Sequence, residues 1–139
     1  INNRKMIQAK FSKDAEIKTD LVAVNVVDQE LLDKTIEIIE ANITNPQFDV
    51  NFLAEKLNLG RTNLFTKIKG ITGQTPNEYI MSIRLKKSIY LLEKHPELNI
   101  SDIAFQTGFN EPAYFSKCFK NTFGETPLNY RKRIRDNEQ

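Results

Sequence analysis

The sequence predicts an all-α protein, with two helix-turn-helix subdomains joined by a long linker helix and preceded by a partly irregular N-terminal linker. Three observations lead there. The phrase "GITGQTPNEY" returns some fifty residues later as "NTFGETPLNY". Apolar residues from Asp28 onward recur at helical rather than strand spacing. Start and stop signals then divide the chain into several short helices and one long one.

Residues 1–27 show no sustained period and read as a linker from an upstream domain, a reading that fits a chain starting at Ile1 rather than Met. Within them "LVAVNVV" reads either as a short strand or as an apolar strap. Leu32, Ile36, Ile39 and Ile43 then fall at helical spacing, with Asp28 as the expected N-cap and Asn45-Pro46 as the stop. In "FDVNFLAEKLNLG", Asp49 is placed to cap a helix and Phe48 and Leu53 to staple it. After Gly60, "RTNLFTKIKGIT" forms a second short helix that Gly73 ends. Thr75, Pro76 and Glu78 combine a threonine cap, a first-turn proline and a glutamate three residues after the cap. The helix they open runs to His95-Pro96, with Tyr79, Ile80, Ile83, Tyr90 and Leu91 expected to face a core.

The pattern then repeats. Asn99 stands where Asp49 stood, with Leu98 and Ile103 as the staple pair. "EPAYFSKCFKNTF" is the second short helix, its Pro112 tolerated in the first turn. At a shift of fifty, Ala54, Phe65, Lys67 and Thr72 match Ala104, Phe115, Lys117 and Thr122. At fifty-one, Gly73, Thr75, Pro76 and Tyr79 match Gly124, Thr126, Pro127 and Tyr130. The domain is therefore placed at 28–135, with helix-turn-helix units at 48–73 and 98–124, the linker helix at 76–94 and a tail at 136–139.

Each unit has a short helix, a turn and a longer second helix, the arrangement whose second helix enters the DNA major groove. Ala54 and Ala104 allow close helix crossing, and Leu59 and Phe109 plug the turns. Leu64 and Ile68, like Phe115 and Phe119, point inward, which leaves short polar and cationic residues outside. Charge is segregated: residues 14–55 hold ten acids and two bases, 56–94 eight bases and two acids, and 117–135 six bases and one acid. Two separated basic blocks suit a polyanion partner, while solvated helix faces give the same pattern. The competing function class is a helical protein–protein interaction module, whose association would not carry the steep salt dependence of DNA binding.

The segments "LAEKLNLGRTNLFTKIKGITGQTPNEYI", "IRLKKSIYLLE" and "ISDIAFQTGFNEPAYFSKCFKNTFGETPLNYR" resemble the DNA-binding domain of the AraC/XylS family of bacterial transcription regulators. The resemblance implies double-stranded DNA as partner, read in successive major-groove segments by two recognition helices, with RNA polymerase as a further partner and transcriptional activation as the outcome. Carried over by position, base contacts fall to Arg61, Thr62, Phe65 and Thr66, and to Glu111, Pro112, Ala113, Ser116 and Lys117. Backbone contacts fall to Asn51, Lys69, Ser101 and Lys120. The basic and acidic N-terminal linker followed by a "DQELLDKTIEIIEANITNPQFDV" type helix resembles those that join a receiver domain to an AraC-type output domain, which implies two-component control through an upstream receiver or sensor.

Enzymatic chemistry finds little support. His95 is the only histidine and precedes a proline at a helix end. Cys118, the only cysteine, has no second thiol for a metal site and is expected to pack in the core at the position of Ile68. No catalytic residue, metal or cofactor is assigned. No apolar run has the length of a membrane span, and a cytoplasmic segment without membrane contact is expected.

Overall fold

The computed structural model describes residues 26–137. Among them are seven helices and no strand: α1 (Val26–Ala41), α2 (Val50–Lys56), α3 (Arg61–Thr72), α4 (Pro76–Lys94), α5 (Ile100–Gln106), α6 (Pro112–Phe123) and α7 (Pro127–Asn137). The N-terminal linker up to residue 25, including most of "LVAVNVV", lies outside the described residues. Helix α1 already contains Val26 and Val27, so Asp28 sits inside its first turn rather than at its cap. An acid there still faces the positive end of the helix dipole, so the sequence signal was sound about the turn and off in register. At the other end, Asp136 and Asn137 belong to α7 rather than to a tail.

Two compact units divide the chain between Met81 and Ser82, inside α4. In the first, α1 packs on both α2 and α3. Its core is mainly aliphatic, with Ile39, Leu53, Leu64 and Ile68 without solvent exposure and Phe48, Ala54, Tyr79 and Ile80 close behind. Thr35 is buried too, its hydroxyl donating to the Leu31 carbonyl at 2.7 Å. Burial holds the Tyr79 phenol far above its ordinary range, at about 12.

Residues Ile43–Pro46, the connection between α1 and α2, group with the second unit. There the Ile43 carbonyl lies against Gly108, at φ 91°, so close that a Cβ at Gly108 would stand 2.2 Å from it. Only glycine fits such a turn. The second core is aromatic: Phe115 lies 5.1 Å from Phe109 and 5.9 Å from Phe119, and Phe119 lies 5.7 Å from Tyr130. Leu85, Ser88, Ile89 and Leu92 form the buried stripe of α4 in this unit. Tyr90, expected in the core, falls off that stripe and is 46% exposed, with its ring 5.9 Å from His95. Ile83 is half-buried. The expected stripe followed one phase along the whole helix, whereas the buried positions on either side of Met81 do not share one.

Arg131 is the buried cation of this unit. Its guanidinium donates to the Leu92, His95 and Leu98 carbonyls around the C-terminal end of α4. Leu92 lies in the last turn of α4, whose carbonyls lack intrahelical donors, and His95 and Leu98 follow in the connection to α5, while a cation also suits the negative end of the dipole.

Candidate nucleic-acid interface

Each helix pair is built by the same local bonds. Asp49 caps α2 by accepting from the Phe52 N–H at 2.8 Å. Asn99 caps α5 in a full capping box with Asp102. Both of these expected caps hold. In the turns, the Leu59 N–H reaches the Ala54 carbonyl and the Phe109 N–H reaches the Ala104 carbonyl, both at 2.9 Å. The one left-handed residue in each turn is Asn58 in the first copy, at φ 56°, and Gly108 in the second. Phe109 is buried, as a plug should be, and Leu59 is half-buried.

The second helices, α3 and α6, each have 12 residues. Leu64 and Ile68 in one, and Phe115 and Phe119 in the other, are wholly buried. Left-handed Gly73 and Gly124 end them, donating to the Lys69 and Lys120 carbonyls at 2.8 Å. The Thr75–Glu78 box then starts α4, with bonds of 2.9 and 3.2 Å in the two directions. In the second copy Thr126 accepts from the Asn129 N–H at 3.1 Å.

These boundaries correct the register of the repeat. Helices α2 and α5 are offset by fifty, but α3 and α6 by fifty-one, because the turn has four residues (57–60) in the first copy and five (107–111) in the second. Leu64 therefore corresponds to Phe115 and Ile68 to Phe119. The identities Phe65/Phe115, Lys67/Lys117 and Thr72/Thr122 do not mark equivalent positions. Cys118 corresponds to Lys67, not Ile68, and is half-buried rather than a core residue.

The corrected pairs are Arg61/Pro112, Thr62/Ala113, Phe65/Ser116, Thr66/Lys117 and Lys69/Lys120. Arg61, Thr62, Phe65, Thr66, Lys69, Ala113, Lys117 and Lys120 are exposed, whereas Pro112 and Ser116 are half-buried. At about 100° per residue, Thr66 and Lys117 point directly away from the buried pairs. Phe65 is 45% exposed, and the Lys69 ammonium lies 5.6 Å from its ring centre. Glu111 is the exposed N-cap of α6 and makes no side-chain cap bond, and Gly60 offers none to α3. Asn51 and Ser101 are exposed in the first turns of α2 and α5. Two recognition-helix residues escaped the sequence reading: Asn63 and Tyr114, equivalent at the third position, both exposed. An alternation of inward and outward residues gives no warning of a flank position.

A family model described as a helix-turn-helix domain matches residues 53–133. A transcriptional regulator with an AraC-type DNA-binding domain, from Chromobacterium violaceum, superposes with a TM-score of 0.71 and 26% identity, over 79% of this chain and 96% of that one. The chain belongs to the AraC-type helix-turn-helix family. Members of this family bind DNA and regulate transcription, and the present chain is a DNA-binding domain of that type. The C-terminal domain of the two-component response regulator yesN from Fusobacterium nucleatum is similar as well, with 34% identity and a TM-score of 0.65 over 71% of this chain and 95% of that one. Beyond the family domain, "Histidine kinase P4" of Formosa agariphila is 45% identical over 133 residues, covering 96% of this chain. The AraC-type chain spans only 10% of that relative's length.

Among the described residues no helix is long and apolar enough to cross a membrane, and no group of three or more His, Cys, Asp or Glu is gathered to hold a metal ion.

Proposed function

We propose that the AraC-type chain is the output segment of a phosphorelay protein, reading two successive major-groove segments with α3 and α6 and activating transcription. The observation that carries this is the pair of recognition helices, equal in length, opened without a side-chain cap and closed by the same left-handed glycine. Arg61, Thr62, Phe65 and Thr66 read one half-site, and Glu111, Pro112, Ala113, Ser116 and Lys117 the other. Their mixture of cationic, hydroxyl and apolar groups suits guanine, adenine and thymine-methyl edges, and Glu111 suits a cytosine amine. Lys69 and Lys120, together with Asn51 and Ser101, hold phosphates.

Similarity to a response-regulator output domain and to a histidine kinase supports an upstream receiver or sensor. RNA polymerase is the second partner, and the cytoplasm is where both would be met.

Selection from a pool of random duplexes, followed by sequencing of the bound fraction, tests the proposal. The expected product is a motif with two short half-sites about one helical turn apart. One half-site alone would make the second copy a backbone clamp. No binding even at low salt would favour an interaction module.

A further inference from the structure

We infer that the Tyr114 hydroxyl is a sugar–phosphate contact that fixes the second recognition helix on the duplex. The inference rests on the DNA-reading role proposed above and adds a residue outside its contact set. Tyr114 is 52% exposed at the third position of α6, and its ring is nonetheless braced. On one side the Phe109 plug lies 6.1 Å away, tilted at 56°. The Cys118 thiol, one helical turn on, pushes the phenol above its ordinary range, and a protonated phenol is a hydrogen-bond donor.

Direction around the helix decides what such a side chain can reach. With Phe115 and Phe119 inward, steps of about 100° put Ala113 and Lys117 opposite them and place Tyr114 on one flank, across from Ser116. A helix seated in the major groove turns its outermost residues to base edges and its flanks to the groove walls, which are sugar and phosphate. Tyrosine is long enough to reach a wall, and its hydroxyl donates to a phosphate oxygen without adding charge. The equivalent residue in the first copy, Asn63, is shorter and carries no comparable brace among the described contacts.

Cys118 lies on the same flank, is half-buried, and is the only cysteine in the chain. It therefore reports whether that flank is covered. The experiment combines two measurements on the intact chain, with a selected duplex and a scrambled one. The first is the affinity of Tyr114→Phe by anisotropy at several salt concentrations. A fall of about tenfold is expected on both duplexes, the loss of one hydrogen bond to a charged group. The salt slope should not change, whereas Lys120→Ala should lower it by about one. The second is the rate of Cys118 alkylation by N-ethylmaleimide in the unaltered chain, expected to slow about tenfold when saturated with either duplex.

Affinity of Tyr114→Phe within about twofold of wild type, or alkylation unaffected by bound DNA, overturns the inference and leaves the DNA-reading role standing. Loss on the selected duplex alone makes Tyr114 a base contact and overturns the backbone assignment. Absence of binding by the unaltered chain on any duplex removes the DNA-reading role and this inference with it.

Discussion

The first and second helix-turn-helix units share a plan and differ in what fills it. Where the first has Leu64 and Ile68 inward, the second has Phe115 and Phe119, which join Phe109, Phe123 and Tyr130 in a chain of ring contacts. Among the described residues the first unit has one such pair, Phe48 and Phe52, with centroids 5.5 Å apart. Where the first has Ile80 after Tyr79, the second has Arg131 after Tyr130, with its three carbonyl bonds. Equivalent backbone bonds with different cores show that the turn and the glycine stops define the unit, while packing is free to vary so long as volume is filled.

The largest effect expected from this contrast is in the cores. Phe119→Ala should destabilise by about 3–5 kcal/mol and Ile68→Ala by about 2–5, read from denaturant midpoints at unchanged m-value. Phe119 should lie toward the upper end, because its ring meets three other aromatic rings besides filling space. A smaller loss for Phe119 than for Ile68 would mean that the aromatic chain is loosely packed.

Arg131→Met comes next, with an expected loss of about 2–4 kcal/mol, since it removes the side-chain donor to the Leu92 and Leu98 carbonyls and leaves His95 only the Leu98 N–H. A change below about 0.5 kcal/mol would show that the first unit's apolar solution serves equally well there.

The turns offer a smaller and sharper contrast. Gly108→Ala meets both a left-handed backbone and the Ile43 carbonyl and should cost at least about 2 kcal/mol. Asn58→Ala meets only the left-handed backbone and should cost about 1 kcal/mol. Equal losses in thermal denaturation would remove the Ile43 carbonyl as the reason for glycine.

The least effect is that of acid. Hydrogen bonds from the Thr75 backbone and then its hydroxyl hold the Glu78 carboxyl below its ordinary 4.5. A depressed carboxylate contributes stability above its unfolded pKa and loses it as pH falls through the lower folded value. The second unit has Asn129 at that position, which does not titrate. The stability difference between wild type and Glu78→Gln should therefore be present above the ordinary carboxylate range and close as pH falls below it. A difference that stays constant over that range would mean the box does not depend on the charge.

Much of this fold was legible in the sequence because its stops and starts are local. Asp49, Asn99, Gly73, Gly124 and the Thr75–Glu78 box each act through bonds within a few residues, and each is found where the sequence put it. The inward pairs were legible from spacing alone. What escaped was set by tertiary packing. The extra residue of the second turn could not be located by matching letters, because chance identities at a shift of fifty masked the true offset of the recognition helices. Cys118 was misplaced for that reason. Tyr90 was misplaced because one phase was assumed for a helix that serves two units. Arg131 reads as one more surface cation in a basic stretch, and only the carbonyls at the end of α4 make it a buried one. Of the candidate interface, the outward faces were legible, while the flank position of Tyr114 was not, because an alternation of inward and outward residues does not mark flanks.

The central claim is that each recognition helix reads its own half-site, and Thr66 and Lys117, equivalent and outermost, test it most directly. Affinities of wild type, Thr66→Ala and Lys117→Ala would be measured on a selected duplex and on two versions with one half-site scrambled. The account predicts that each variant loses about 1–3 kcal/mol on the intact site and becomes indifferent to scrambling of a different half-site. Indifference of both variants to the same half-site, or of neither to any, would contradict it.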